Sequence, residues 1–79
     1  METFLNTVDI VRELRAAGWQ VGWPGWVGRA GARVLRLVGR QTRCHSCRLV
    51  GVGVVPLFRE GGGFRAVLDC RRCHVGREL

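Results

Sequence analysis

Every cysteine of the chain lies in one of two short pairs, Cys44 with Cys47 in TRCHSCRL and Cys70 with Cys73 in DCRRCHVG. The two-residue spacing lets both sulfurs of a pair reach one centre from a single turn, and 22 residues separate the pairs. That interval reads as a β-hairpin. In LVGVGVVPLF, Val50, Val52 and Val54 share one face, while Gly51 and Gly53 leave the other face bare for close approach by another element. REGGG is the connection, and FRAVLD is the return strand, with Phe64, Ala66 and Leu68 on one side and Arg65, Val67 and Asp69 on the other. An antiparallel fold of this stretch brings the two cysteine turns together.

Four thiolates in a tetrahedron with bonds of about 2.3 Å suit Zn2+, and a site closed by four sulfurs is structural, with no position left for water or substrate. The spacing predicts one structural zinc on Cys44, Cys47, Cys70 and Cys73. Two disulfides, a thioredoxin-like dithiol and an iron–sulfur cluster are the competing uses of the same thiols. His45 and His74 each follow a cysteine and are read as lying outside the cage, making peripheral contacts.

The pattern C-x2-C, hairpin, C-x2-C over residues 42 to 75 resembles the zinc ribbons, whose two knuckles hold one zinc. The resemblance implies the metal cage and says little of function, because ribbons serve in transcription, replication and ribosomal proteins and in pure docking modules. Many ribbons carry glycine just after the second cysteine of a knuckle. Here Arg48 and His74 stand in that place, which leaves a treble-clef-like arrangement open.

Seventy-nine residues suffice for one domain with a marginal core, where a metal staple is of most use. The expected fold is a small α+β unit: an N-terminal helical and tryptophan-rich segment, 1–41, packing on or extending a zinc ribbon, 42–79. Within the first segment, residues 7 to 17 read as an amphipathic helix with Leu5, Val8, Val11 and Leu14 at three-residue spacing, Asn6 as cap and Gly18 as stop. GWQVGWPGWVG follows, with glycine and proline too frequent for a helix. Trp19 and Val21 suit a short strand and Trp23–Pro24–Gly25 a turn. The three indoles either roof the core or form an interface, and Trp23, held between Gly22 and Pro24, is the one expected in solvent. RVLRLV could also form a strand, but a second helix is the favoured expectation from about 29 to 38, with Arg29, Arg33, Arg36 and Arg40 on one face and Val27, Ala30, Val34 and Leu37 on another.

The formal charge is +7, and all thirteen strong bases are arginine, from selection for phosphate contacts or from coding bias. Six of them, Arg29, Arg33, Arg36, Arg40, Arg43 and Arg48, fall in a run without an acidic residue. Such charge attracts polyanions. No run of 18 uncharged apolar residues suits a membrane span, and METFLNTVDIVREL lacks the basic start of a signal peptide. The chain is therefore expected in the cytoplasm, a reducing compartment.

No catalytic constellation is visible. Ser46 is locked inside a knuckle, Asp69 has no acid–base partner, and the carboxylates Glu2, Asp9, Glu13, Glu60, Asp69 and Glu78 are scattered. REGGGF lacks the lysine and the strand-to-helix setting of a phosphate loop. The chain is expected not to be an enzyme and to take no small-molecule substrate. The leading expectation is a nucleic-acid-binding module, DNA or RNA, whose six clustered arginines, with Arg71 and Arg72 of the second knuckle, contact phosphates. The alternative is a small subunit or adaptor docking on an acidic protein surface in a larger assembly through Trp19, Trp23 and Trp26 and the hairpin. A basic element lying on a membrane surface ranks third.

Overall fold

The computed structural model describes residues 5–79. Glu2 and the first four residues of the N-terminal stretch lie outside them. Helix α1 (Thr7–Ala16) leads through strand β1 (Gln20–Val21) to helix α2 (Gly28–Gln41), and strands β2 (Gly53–Arg59), β3 (Gly63–Asp69) and β4 (Gly76–Glu78) complete a small α+β fold. The four strands form one antiparallel sheet in chain order, with Val55 opposite Val67 and Leu57 opposite Arg65 at its centre. The hairpin expected between the cysteine pairs is present. The third strand of that half, β4, was not expected; three residues of mixed polarity carry no alternation to reveal it.

Residues of β3 alternate as the sequence implies, yet Ala66, Val67 and Leu68 are all buried, because a helix covers each face. One face joins Leu57 and Val67 to Ile10, Val11, Leu14 and Trp19. The other joins Val52, Val54 and Leu68 to the four cysteines and Leu49. The indole of Trp19 is 7% exposed and has the guanidinium carbons of Arg59 and Arg65 over its ring, at 4.8 and 4.9 Å from the centroid.

Helix α1 begins where expected, with the Asn6 side chain accepting from the Val8 amide, and Gly18 takes the left-handed φ of +98° that stops it. Its buried stripe differs from the expected one. Thr7, Ile10, Val11 and Leu14 face the sheet, whereas Leu5 and Val8 are exposed. The reason is periodicity: steps of three residues drift around a 3.6-residue helix, while steps of three and four stay on one side.

Helix α2 is longer than expected and is turned differently. Its sheet face is made of Ala32 and Gly39 with half-buried Gly31 and Leu35, while Ala30, Val34 and Leu37 are in solvent. Small residues let the helix axis come close. A Cβ on Gly39 would lie 2.7 Å from the Val52 carbonyl oxygen and 3.0 Å from Val54 Cγ2. The Val52 amide donates to the Gly39 carbonyl at 2.8 Å, which fixes the rotation of the helix about its own axis. The four arginines Arg29, Arg33, Arg36 and Arg40 share a face as expected, and all are exposed. Among the described residues no helix is long and apolar enough to cross a membrane.

Replacing Gly39 with alanine should push α2 off β2 and destabilise the protein by about 1–3 kcal/mol. The same change at Gly25, where an added Cβ meets nothing within 4 Å, should be neutral within about 0.5 kcal/mol. Urea melts of the zinc-loaded variants would measure both.

Candidate metal centre

The two cysteine pairs sit in turns of the same construction. In the first, the Cys44 amide donates to the Leu49 carbonyl and the Arg48 amide to the Cys44 carbonyl, at 2.9 and 3.0 Å. In the second, the Cys70 amide donates to Val75 and the His74 amide to Cys70, at 3.2 and 2.9 Å. Antiparallel pairing closes each turn, Arg43 with Val50 in one and Asp69 with Gly76 in the other. Residues 43 to 50 therefore repeat the path of residues 69 to 76.

Each knuckle needs a residue with left-handed φ after its second cysteine, the place that glycine fills in many ribbons. Arg48 and His74 adopt that conformation themselves, with φ of 67° and 60°, the only non-glycine residues of the described chain to do so. The departure seen in the sequence thus leaves the knuckle geometry intact and costs backbone strain instead. The second pair lies in a turn between strands, not at a helix start, so the arrangement is ribbon-like and not treble-clef.

The hairpin brings the knuckles face to face. Cys44 Sγ lies 3.5 Å from Cys73 Sγ and Cys47 Sγ 3.5 Å from Cys70 Sγ, and all four sulfurs fall within 4.8 Å of one another. A disulfide requires about 2.05 Å, whereas a tetrahedron with zinc–sulfur bonds of about 2.3 Å has edges of about 3.8 Å. All four cysteines are free thiols, and the four form a site for one structural zinc ion. Cys44 and Cys70 are buried and Cys47 and Cys73 half-buried. Neither His45 nor His74 belongs to the set.

The electrostatics of the turns prepare the site. The Cys73 amide, helped by that of Arg72, pulls the Cys70 thiol down to about 6 against the opposing effect of burial. The Cys47 amide also lowers the Cys44 thiol below its ordinary value against the effect of burial, and the Ser46 amide adds a contact of 3.4 Å to its sulfur. At Cys73 the Val75 amide pulls downward, but burial and the neighbouring sulfurs of Cys70, Cys44 and Cys47 prevail and push the thiol up to about 11. Four sulfurs this close cannot all ionise without a cation among them.

Compared with known protein families, curated proteins and solved structures, the chain matches none. The ribbon-like character rests on the knuckles themselves.

Contacts around the cage involve Thr7 and Gly76, which carry no chemical signature in the sequence, and Asp69 and Arg72 in roles that the sequence does not reveal. The Thr7 hydroxyl donates to Asp69 Oδ1 at 2.6 Å and the Thr7 amide to the His74 carbonyl at 3.0 Å, tying the start of α1 to the second knuckle. A Cβ on Gly76 would lie 2.7 Å from Thr7 Oγ1 and 2.8 Å from its Cα, so glycine permits this contact. Arg72 crosses between knuckles and donates to the Cys47 carbonyl at 3.2 Å.

The predicted arginines divide into two groups. Arg29, Arg33, Arg36 and Arg40 line one groove of about 670 Å³ together with Trp23, Pro24, Gly25, Gly28, Ala32 and Leu37. Arg43 and Arg48 flank the first knuckle and Arg71 and Arg72 lie within the second; none of these four lines the groove. The tryptophans part company as well. Trp19 is core. Trp23, expected to be the exposed one, is half-buried and stacks on Phe64, with ring centroids 5.9 Å apart and planes 26° apart. Trp26 is the indole in solvent, 70% exposed, with only an edge against Phe64. The turn faces Trp23 inward because Phe64 stands on the same side of the sheet as α2.

Two outcomes follow for the zinc site. At pH 7 zinc must displace the Cys73 proton, and below about pH 6 Cys70 arrives protonated too. Affinity should therefore fall as pH drops, more steeply below about 6 by one further proton per ion. Competition against a chromophoric chelator across pH 5 to 8 would read that change of slope. Without metal the sign is the same for Cys70: its depressed value contributes stability above the ordinary thiol range, lost as pH falls through about 6.

Arg48→Gly should relieve the left-handed strain and leave zinc-loaded stability unchanged or raised by up to about 1 kcal/mol. Arg71→Gly, in the other knuckle but without a positive φ, should lower it by about 0.4–1 kcal/mol. Denaturant midpoints at fixed free zinc would separate the two, with only Arg71→Gly falling below the unaltered protein.

Proposed function

We propose that the chain is a non-enzymatic, zinc-stabilised module that binds the phosphate backbone of nucleic acid through the arginine row of α2. The single observation behind this reading is the charge on one side of that helix. Arg29, Arg33, Arg36 and Arg40 are all exposed, all line one groove, and none is engaged in an ion pair among the described residues. The ion pairs of the described chain lie elsewhere, Arg12 with Asp9 and Arg65 with Glu78. Four unneutralised guanidinium groups along a helix of 14 residues repel one another, and a polyanion removes that repulsion. Arginine suits phosphate because its planar fork donates two parallel hydrogen bonds. The knuckle arginines Arg43, Arg48, Arg71 and Arg72 extend the basic surface beyond the groove. The zinc holds the scaffold and takes no part in binding.

A second reading, an adaptor that docks on an acidic protein surface, draws on a different observation. Val34, Leu37 and Val38 are 57%, 47% and 39% exposed on α2, and Trp26 stands in solvent near the start of that helix. Apolar side chains beside arginines suit the rim and centre of a protein interface. The two readings differ in salt dependence, which is steep for phosphate contacts and shallow for apolar docking.

Reversing Arg33, Arg36 and Arg40 to glutamate should abolish oligonucleotide binding while zinc content stays at one ion per chain. Removing the charges one at a time, by Arg→Gln, should lower the salt slope by about 0.7–0.9 for each phosphate that is no longer neutralised. Fluorescence anisotropy with labelled oligonucleotides at several salt concentrations would measure it. Absence of binding by the unaltered protein at low salt would leave the adaptor as the better reading.

A further inference from the structure

The groove walled by the arginine row has an aromatic side. Trp23 lines it, and Phe64, which is not part of the groove's lining, stacks against that indole and holds it in place. The guanidinium carbon of Arg36 lies over the Trp23 ring, 5.9 Å from its centroid. Stacked planar groups sit about 3.4 Å apart, the rise of one nucleic-acid strand. A base between the indole and the guanidinium would need twice that, about 6.8 Å. Arg36 is exposed on a long side chain, so it can swing aside to admit a base onto the indole.

We propose that this groove binds single-stranded nucleic acid, with one base stacked on Trp23 under Arg36 and the neighbouring phosphates on Arg29, Arg33 and Arg40. The proposal rests on the phosphate-binding reading above and specifies the form of the ligand. Paired bases in a duplex present no free face to Trp23, and a groove of about 670 Å³ holds a nucleotide or two, not a double helix. A duplex can reach the arginines only through its backbone. The groove's side chains are tryptophan, proline, arginine, alanine and leucine, none of which accepts a hydrogen bond from a base amino group. Stacking and charge therefore supply the affinity, and contact with a base edge by these side chains is limited to donation, with deoxyribose and ribose strands sharing the same chemistry.

The test uses the zinc-loaded full chain and a short homopyrimidine in three forms: DNA strand, RNA strand and duplex. In a Trp19→Phe, Trp26→Phe background Trp23 is the sole indole, and its emission should be quenched by either single strand and not by the duplex. Trp23→Leu should weaken single-strand binding about 5- to 150-fold, leave duplex binding within about twofold and keep the salt slope. Trp23→Phe should retain most of the single-strand affinity, and it carries the comparison if the leucine variant loses its zinc or its helical circular dichroism. Equal binding of strand and duplex, or an unquenched Trp23, overturns the stacking proposal while the phosphate reading stands. Binding of neither form at low salt overturns both.

Discussion

Four sulfurs within 4.8 Å of one another are the constraint on which the remainder of the fold depends. Left as thiolates they repel; as thiols they forgo the amide contacts that lower Cys44 and Cys70. A divalent cation resolves the conflict and closes the loop from Cys47 to Cys70 at its base. One of the two apolar clusters is itself built around the cage, since Val52, Leu68 and Leu49 pack directly on the cysteines. Each helix is then fastened beside one knuckle. Thr7 ties α1 to the second through Asp69 and His74, while Gly39 and Thr42 tie the end of α2 to the approach to β2 through the amides of Val52 and Gly51. Removing the metal therefore frees more than a hairpin: it separates the anchor points of two helices that cover opposite faces of the sheet.

The cage, the hairpin and the arginine row were legible because each depends on spacing alone. A C-x2-C pair states its own geometry, alternation states which side of β3 a residue takes, and Arg29, Arg33, Arg36 and Arg40 recur at the period of a helix. What the sequence could not disclose was rotation. Whether α2 turns its valines or its glycines toward the sheet is settled by how near its axis can come to Val52, a distance that no residue of α2 encodes by itself. The same holds for Trp23: its neighbours predict a turn, but Phe64, 41 positions away, decides that the indole lies inward. The stripe of α1 differs for another reason: its residues are visible in the sequence, but steps of three alone drift off one side of a 3.6-residue helix.

The rotation of α2 has a consequence for function. With 3.6 residues per turn, the helix presents three sectors: small residues to the sheet, arginines with Leu37 to the groove beside Trp23, and Ala30, Val34 and Val38 to solvent. Had the valines packed on the sheet, as the sequence pattern suggests, the arginine row would have turned away from the turn that carries Trp23. A helix that presents glycine and alanine to its own core gives up apolar burial, and each of those glycines also lowers helix propensity by about 1 kcal/mol relative to alanine. What the arrangement provides in return is an aromatic ring, backed by Phe64, facing a row of guanidinium groups that make no ion pair among the described residues. Those two chemistries meet at this place because the close approach of Gly39 to β2 sets the angle of the helix. The zinc, at the far end of that contact, keeps β2 where Gly39 needs it.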